Sequence, residues 1–252
     1  MKNIYTLVNM NTKEEKFTVR AYDCQTNGNL KIFSLMQYLQ EIATIHAEEL
    51  GFGISHLDKI NCYWVLSNIR IEFTKLPKWK EEFSIQTWPS GHSRLIATRE
   101  FISKDRNGND LFRAGSQWMI LSKDNNRPQN LFNLKLDMPD NGIKAISEKM
   151  KRLEIKNNGY TPVEQIRVPY NSIDLNGHVN NTEYVRWGID ALNKIYKLKG
   201  EIFSFQATYF SELFAGDELN LYIGSISNHY SVLIKRKNMD EIVFLMENIF
   251  TI

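Results

Sequence analysis

A chain of 252 residues, 42% of them hydrophobic, is long enough to bury one large core or two ordinary ones, and length alone does not choose between them. Charged residues make up 24% and the formal net charge is +2, so a nucleic-acid partner, which calls for a concentrated basic stripe, is not expected. Cys24 and Cys62 make neither a disulfide framework nor, with nearby histidines, a metal motif, so two free thiols in a reducing compartment are expected.

The amino-terminal stretch interrupts its apolar residues with Asn9, Asn11 and a charged run from Lys13 to Lys16, too polar for the centre of a secretion signal. No later apolar run reaches membrane-spanning length, so the expectation is a cytoplasmic chain with no stable membrane insertion. KFTVRAY alternates Phe17, Val19 and Ala21 and reads as a strand, followed by a turn at Asn27-Gly28. From Lys31, the spacing of Ile32, Leu35, Met36, Leu39, Ile42, Ala43 and His46 predicts a helix that Gly51 and Gly53 end. CYWVLSNIRIEF, EEFSIQTWP, RLIATREFIS and FRAGSQWMILS then predict four consecutive antiparallel strands, separated by Pro77, by Pro89 with Ser90-Gly91, and by Asn107-Gly108.

From Lys123 to roughly Gly159 the chain is turn-rich and polar, with a short helix expected in ISEKMKRLEI, and it reads as a linker. The second half repeats the first: VEQIRVPY as strand, NSIDLNG as polar turn and TEYVRWGIDALNKIY as helix, with Tyr184, Val185, Leu192 and Ile195 on its apolar face. EIFSFQATYFSEL, DELNLYIGSIS, YSVLIKRK and EIVFLMENIFTI supply four more strands, connected at Gly216-Asp217 and Asn238-Met239-Asp240. Val19 and Val168 precede Asn27-Gly28 and Asn176-Gly177 at one offset, 168 − 19 = 149 and 176 − 27 = 149, and Leu35 and Met36 fall opposite Tyr184 and Val185. The expected architecture is α+β: two units whose sheets pair edge to edge into one antiparallel sheet around two long helices.

The two turns are not equivalent chemically. Residues 170–181 concentrate Asp174, Asn176 and His178 between strand and helix, whereas the first turn has Gln25 and Asn29 where the second has Asp174 and His178. An imidazole handles protons near neutral pH, and N–H groups at a helix start can meet a developing oxyanion, as thioester hydrolysis requires. The structural alternative stays open: Asn180 or Asn181 as helix cap, Asp174 closing an Asx-turn, and His178 as a partly buried, hydrogen-bonded histidine. No P-loop, HExxH or nucleophile elbow is present, His92 reads as a loop residue, and His46 reads as a hydrogen-bonded core or pocket residue. Trp64, Trp79, Trp88, Trp118 and Trp187 are expected to fill the sheet–helix interface or line a pocket.

The segment DLNGHVNNTEYVRW, residues 174–187, closely resembles the signature of plant and bacterial acyl-(acyl carrier protein) thioesterases, and the resemblance extends to the long N-terminal helix, WVLSNIRIEF and Trp88-Pro89. It implies a tandem, or double, hot-dog fold: an N-terminal unit (1–125) holding the acyl chain, a linker (126–160) and a C-terminal unit (161–252) carrying the catalytic residues. It further implies hydrolysis of fatty acyl thioesters on acyl carrier protein, presented on its phosphopantetheine arm, by a monomer or homodimer with no cofactor and no metal. Carried over by motif, Asp174, Asn176 and His178 are catalytic-loop residues and Glu212, in ATYFSEL, is the family glutamate. Leu213 stands where plant enzymes have a cysteine, so the resemblance implies attack by water rather than by a thiolate, with Glu212 or His178 as general base. An acyl-CoA thioesterase and a noncatalytic acyl-binding protein are the competing readings.

Overall fold

The computed structural model describes residues 11–155, 159–196 and 202–250. Readings that fall on the N-terminal stretch through Met10, on the middle of IKNNGY, on Glu201 and on Thr251-Ile252 lie outside the described residues. The chain forms two compact units, Met1–Leu66 with Thr74–Lys149, and Ser67–Phe73 with Met150–Ile252.

In the first unit, antiparallel strands lie in the order β1 (Lys13–Thr18), β3 (Glu82–His92), β4 (Ala97–Asp105), β5 (Asp110–Ser122) and β2 (Cys62–Phe73). Helix α1 (Ile32–Glu49) lays its predicted apolar face on this sheet, with Leu35, Met36, Leu39 and Ile42 all nearly inaccessible. It ends where Gly51 takes a left-handed φ of +80°, a conformation glycine adopts without the steric cost of a Cβ. A short helix α2 (Ile54–Lys59), which the sequence reading missed, follows at once.

The second unit has the same plan. Its order is the Ser67–Phe73 part of β2, then β7 (Ile202–Tyr209), β10 (Ile242–Phe250), β9 (His229–Arg236), β8 (Glu218–Ile226) and β6 (Thr161–Arg167). Helix α3 (Asn181–Tyr196) buries Tyr184, Val185, Ala191 and Leu192. At Gly188 a Cβ would lie 2.5 Å from Met246 Cε, so glycine leaves the space between α3 and β10 to the end of that methionine. Each unit is thus a long helix wrapped by an antiparallel sheet, an α+β arrangement of hot-dog type.

Two backbone hydrogen bonds of the turn recur at the 149-residue offset, and a third recurs with its donor alone at that offset. Gln25 N–H to Asn29 O and Lys31 N–H to Asp23 O recur as Asp174 N–H to His178 O and Asn180 N–H to Ser172 O, all 2.8 Å long. Leu30 N–H to Pro77 O, 2.9 Å, recurs as Val179 N–H to Leu213 O, 2.8 Å.

Several expectations are corrected. β1 stops at Thr18, because Val19 bonds Glu81 O and the chain then coils into a 3-10 turn over Ala21–Asp23. Pro89-Ser90-Gly91 is not a turn but a bulge within β3, which also carries His92: register shifts between Pro89 and Gly91, and proline's missing N–H is tolerated there. No helix forms in ISEKMKRLEI; its backbone is held instead by β7, through Leu153 N–H to Thr208 Oγ1 and Gln206 Nε2 to Lys151 O. Ile195 is 56% exposed, and the last turn of α3 is covered by Tyr196 packing on Tyr230. Of the tryptophans, Trp79 is exposed beneath Lys80, and Trp88 lies under Ile143 and Ala145, donating to Ile143 O, so neither fills the sheet–helix interface as expected.

The 140–146 segment is fastened to that outer face of β3 and β4. Buried Glu100 accepts from Ser90 Oγ (2.9 Å) and Ala145 N (3.0 Å) and pairs with Lys144 at 3.2 Å, while Lys144 also reaches Ser90 Oγ at 2.8 Å. Replacing Glu100 by alanine leaves these donors without their shared acceptor and is expected to cost about 3 kcal/mol in urea denaturation, with early proteolytic cleavage at 140–146.

On the inner face of the first unit, His46 Nδ1 lies 3.0 Å from Arg99 Nη1. Burial, then the Arg99 charge, lowers the imidazole to about 4. The unfolded chain, at about 6.5, binds the extra proton between these values, so the stability contributed by neutral His46 is complete above about pH 6.5 and is lost as pH falls toward 4. Stability should drop between pH 7 and pH 5, and His46→Gln should flatten that drop by about 1–2 kcal/mol, read from urea midpoints.

Candidate active site

The second-unit turn is built from local backbone chemistry. After β6, residues Tyr170–Ser172 make a 3-10 turn, and Asp174 Oδ1 accepts from Asn176 N at 2.8 Å, an Asx-turn. Gly177 supplies the left-handed φ of +80° that turns the chain back, and Asp174 N–H bonds His178 O. Asn180 caps α3, its Oδ1 accepting from Thr182 N (3.0 Å) and Thr182 Oγ1 (2.8 Å). The structural roles considered for Asp174 and Asn180 are therefore both occupied.

His178 is placed differently. Its ring is half-buried, edge-on to Phe214 with centroids 5.0 Å apart, and its Nδ1 lies 3.5 Å from Glu212 Oε1. That separation is longer than a short hydrogen bond, and the two side chains are 17% and 21% exposed. The structure thus brings together His178, just before α3, and Glu212, just after β7. Asp174 shapes the turn, and Asn176 stands exposed two residues from His178.

Glu212 is held there through its backbone. Arg236 Nη2 donates to Glu212 O at 2.9 Å, and the same guanidinium pairs with Asp217 and with Glu241 at 3.0 Å. Phe214 N–H bonds Asp217 Oδ2, and the Ser211 hydroxyl, followed by Arg236, holds the Glu241 carboxyl below its ordinary range. Val179 N–H, one residue past His178, bonds Leu213 O, one residue past Glu212, so the two loops are tied beside their reactive side chains. Leu213 is fully buried. Beneath lie Tyr184, Tyr209 and Phe244 in mutual ring contact; burial and then the Glu212 charge push the Tyr184 phenol far above its usual range, which keeps it protonated.

The first unit keeps this framework without the chemistry. By the paired backbone bonds, Asn29 corresponds to His178 and buried Leu76 to Glu212. Sequence reasoning did not find Phe214 or Arg236; neither sits in a motif, and Arg236 ends an ordinary strand, so only the fold reveals its hold on Glu212.

Residues 10–133 match the acyl-ACP thioesterase N-terminal domain and residues 155–245 the acyl-ACP thioesterase C-terminal domain. The chain belongs to the acyl-ACP thioesterase family. It is 30% identical to an acyl-ACP thioesterase of Bacteroides thetaiotaomicron, whose crystal structure superposes with a TM-score of 0.82 over 96% of this chain and 98% of that one. The 12:0-ACP thioesterase of Umbellularia californica, at 19% identity, shares the fold with a TM-score of 0.77 over 96% and 97% of the two chains. The chloroplastic oleoyl-acyl carrier protein thioesterase of Coriandrum sativum is 26% identical over 205 residues, 72% of this chain and 54% of its own length. The chain spans about half the length of the curated relatives it matches.

For an acyl-ACP thioesterase family member with this loop, Arg236→Leu should free the Glu212 carbonyl and displace the carboxylate while leaving His178 and its turn in place. The displacement should appear in NMR spectra as a shifted His178 imidazole resonance, with the backbone resonances of 174–177 unchanged.

Proposed function

We propose that this protein hydrolyses fatty acyl thioesters of acyl carrier protein to free fatty acid and holo-carrier protein, using water as nucleophile. The observation that carries this reading is the contact of His178 Nδ1 with Glu212 Oε1 at 3.5 Å, next to a leucine with no nucleophilic atom. The Glu212–His178 pair takes the proton of a water whose oxygen bonds to the thioester carbonyl carbon. Asn176 and His178 orient that water or bind the carbonyl oxygen, and Asp174 holds their turn. Collapse of the tetrahedral intermediate breaks the carbon–sulfur bond, and the departing thiolate receives the proton from the pair. Neither cysteine belongs to this pair or to its loops.

In the same reading the two units are hot-dog domains in tandem, with 1–125 receiving the acyl chain, 126–160 connecting, and 161–252 carrying the chemistry. The partner is the carrier's phosphopantetheine-linked acyl chain, and the place of action is the cytoplasm. Among the described residues no helix is long and apolar enough to cross a membrane.

His178→Ala and Glu212→Gln should each lower kcat/KM on acyl-carrier thioesters by about 100-fold or more, whereas Leu213→Ala should change it only a few-fold. In oxygen-18 water a single turnover should put one label into the fatty acid; a trapped acyl adduct on any side chain would refute attack by water. Carrier and CoA thioesters of the same acyl group, assayed side by side, test the partner: equal kcat/KM on both would remove the carrier protein from the reading.

A further inference from the structure

Arg99 carries a full positive charge in the interior of the first unit, and among the described residues no carboxylate pairs with it. It is 6% exposed and faces α1, and its Nη1 reaches two neutral groups, His46 Nδ1 at 3.0 Å and Thr87 Oγ1 at 3.3 Å. The carboxylates nearest in sequence are committed elsewhere: Glu100 to Ser90, Lys144 and Ala145 on the outer face, and Glu49, one turn from His46, to Lys13 at 2.5 Å. Burial lowers the guanidinium to about 10, still charged at neutral pH.

Beyond these two bonds, Arg99 and His46 are left with donors only. The Thr87 hydroxyl gives its hydrogen to Glu100 O at 2.9 Å and so accepts from Arg99. His46 accepts from Arg99 at Nδ1, so its own proton resides on Nε2, a further donor. A guanidinium has five N–H donors, and two neutral acceptors neither satisfy them nor balance the charge. If Arg99 only tied α1 to the sheet, a neutral glutamine would make the same two bonds without burying a charge, which opposes folding when nothing compensates it.

We propose that Arg99, with His46, is a recognition site for an acceptor oxygen, best a carboxylate, at the far end of an acyl chain. The inference rests on the reading that the first unit receives the acyl chain, and it adds a substrate class: chains ending in a carboxyl or hydroxyl group rather than a methyl group. A methyl end offers the guanidinium neither an acceptor nor an opposite charge, whereas a carboxylate supplies both, and sites built around such bonds discriminate strongly against analogues lacking them.

The test compares carrier-protein thioesters of equal carbon number ending in methyl, hydroxyl or carboxylate, with wild type, Arg99→Met and Arg99→Gln. Wild type should favour an oxygenated end over methyl by at least about ten-fold in kcat/KM, and both variants should lower that ratio by at least about ten-fold, whatever their absolute rates. A wild type that prefers the methyl end, or a ratio unchanged in a variant whose circular dichroism matches wild type, overturns the proposal. Should wild type hydrolyse none of the thioesters, the hydrolase reading fails by itself, and calorimetry with the free dicarboxylic acid decides on Arg99 separately. Binding lost in Arg99→Gln supports the site, and no binding to wild type refutes it. If both variants fail to fold, His46→Leu, which removes the second donor and keeps the Arg99 charge, must still weaken binding of the dicarboxylic acid; unchanged binding refutes the site.

Discussion

Val179 donates its N–H to the Leu213 carbonyl, and much of the functional geometry follows from that one backbone bond. Each end of it lies one residue beyond a reactive side chain, so the bond sets how far the His178 ring stands from the Glu212 carboxylate. A side-chain contact of 3.5 Å between two solvent-accessible groups is weak support for its own geometry. The loops make it reproducible. Arg236 grips the Glu212 carbonyl, Asp174 and Gly177 shape the histidine turn, and Asn180 fixes where α3 begins. Orientation is thus assigned to backbone and capping groups rather than to the imidazole and the carboxylate themselves.

The same backbone bond exists in the first unit, between Leu30 and Pro77, where Asn29 and Leu76 flank it. A duplicated scaffold with one reactive pair separates shape from chemistry within a single molecule. Folding of the turn needs the glycine, the Asx or amide side chains and the cross-loop bond; it does not need histidine or glutamate. The first unit has instead an interior arginine on β4 that bonds a buried histidine of α1.

Much of this was legible in the sequence because it rests on periodicity and turn chemistry. The apolar spacing of Leu35, Met36, Leu39 and Ile42 located α1, and the 149-residue offset located a repeat that the hydrogen bonds reproduce. The site was legible only where a motif marked it: His178 lies in a dense polar turn, and Glu212 was reached through family resemblance. What stayed hidden depends on neighbours distant in the chain. Proline and glycine at 89–91 are ordinary turn residues, and only the pairing with β4 makes them a bulge. The 146–155 segment has helical composition, but side chains of β7 capture its backbone first. Arg236 has no local signature, since its meaning comes from the three loop groups it holds together.

The close seat of α3 on β10 also bears on oxidative damage. Met246 Cε and Sδ fill the space that a side chain at position 188 would need, and the thioether is inaccessible in the folded protein. Its sulfur is therefore shielded from peroxide while the unit stays closed. A sulfoxide formed on a chain that has opened would bring a polar oxygen to a place with no room and no donor for it. Such a chain would refold with its helix lifted from the sheet, and because that helix begins at the His178 turn, the lesion would shift the turn as well.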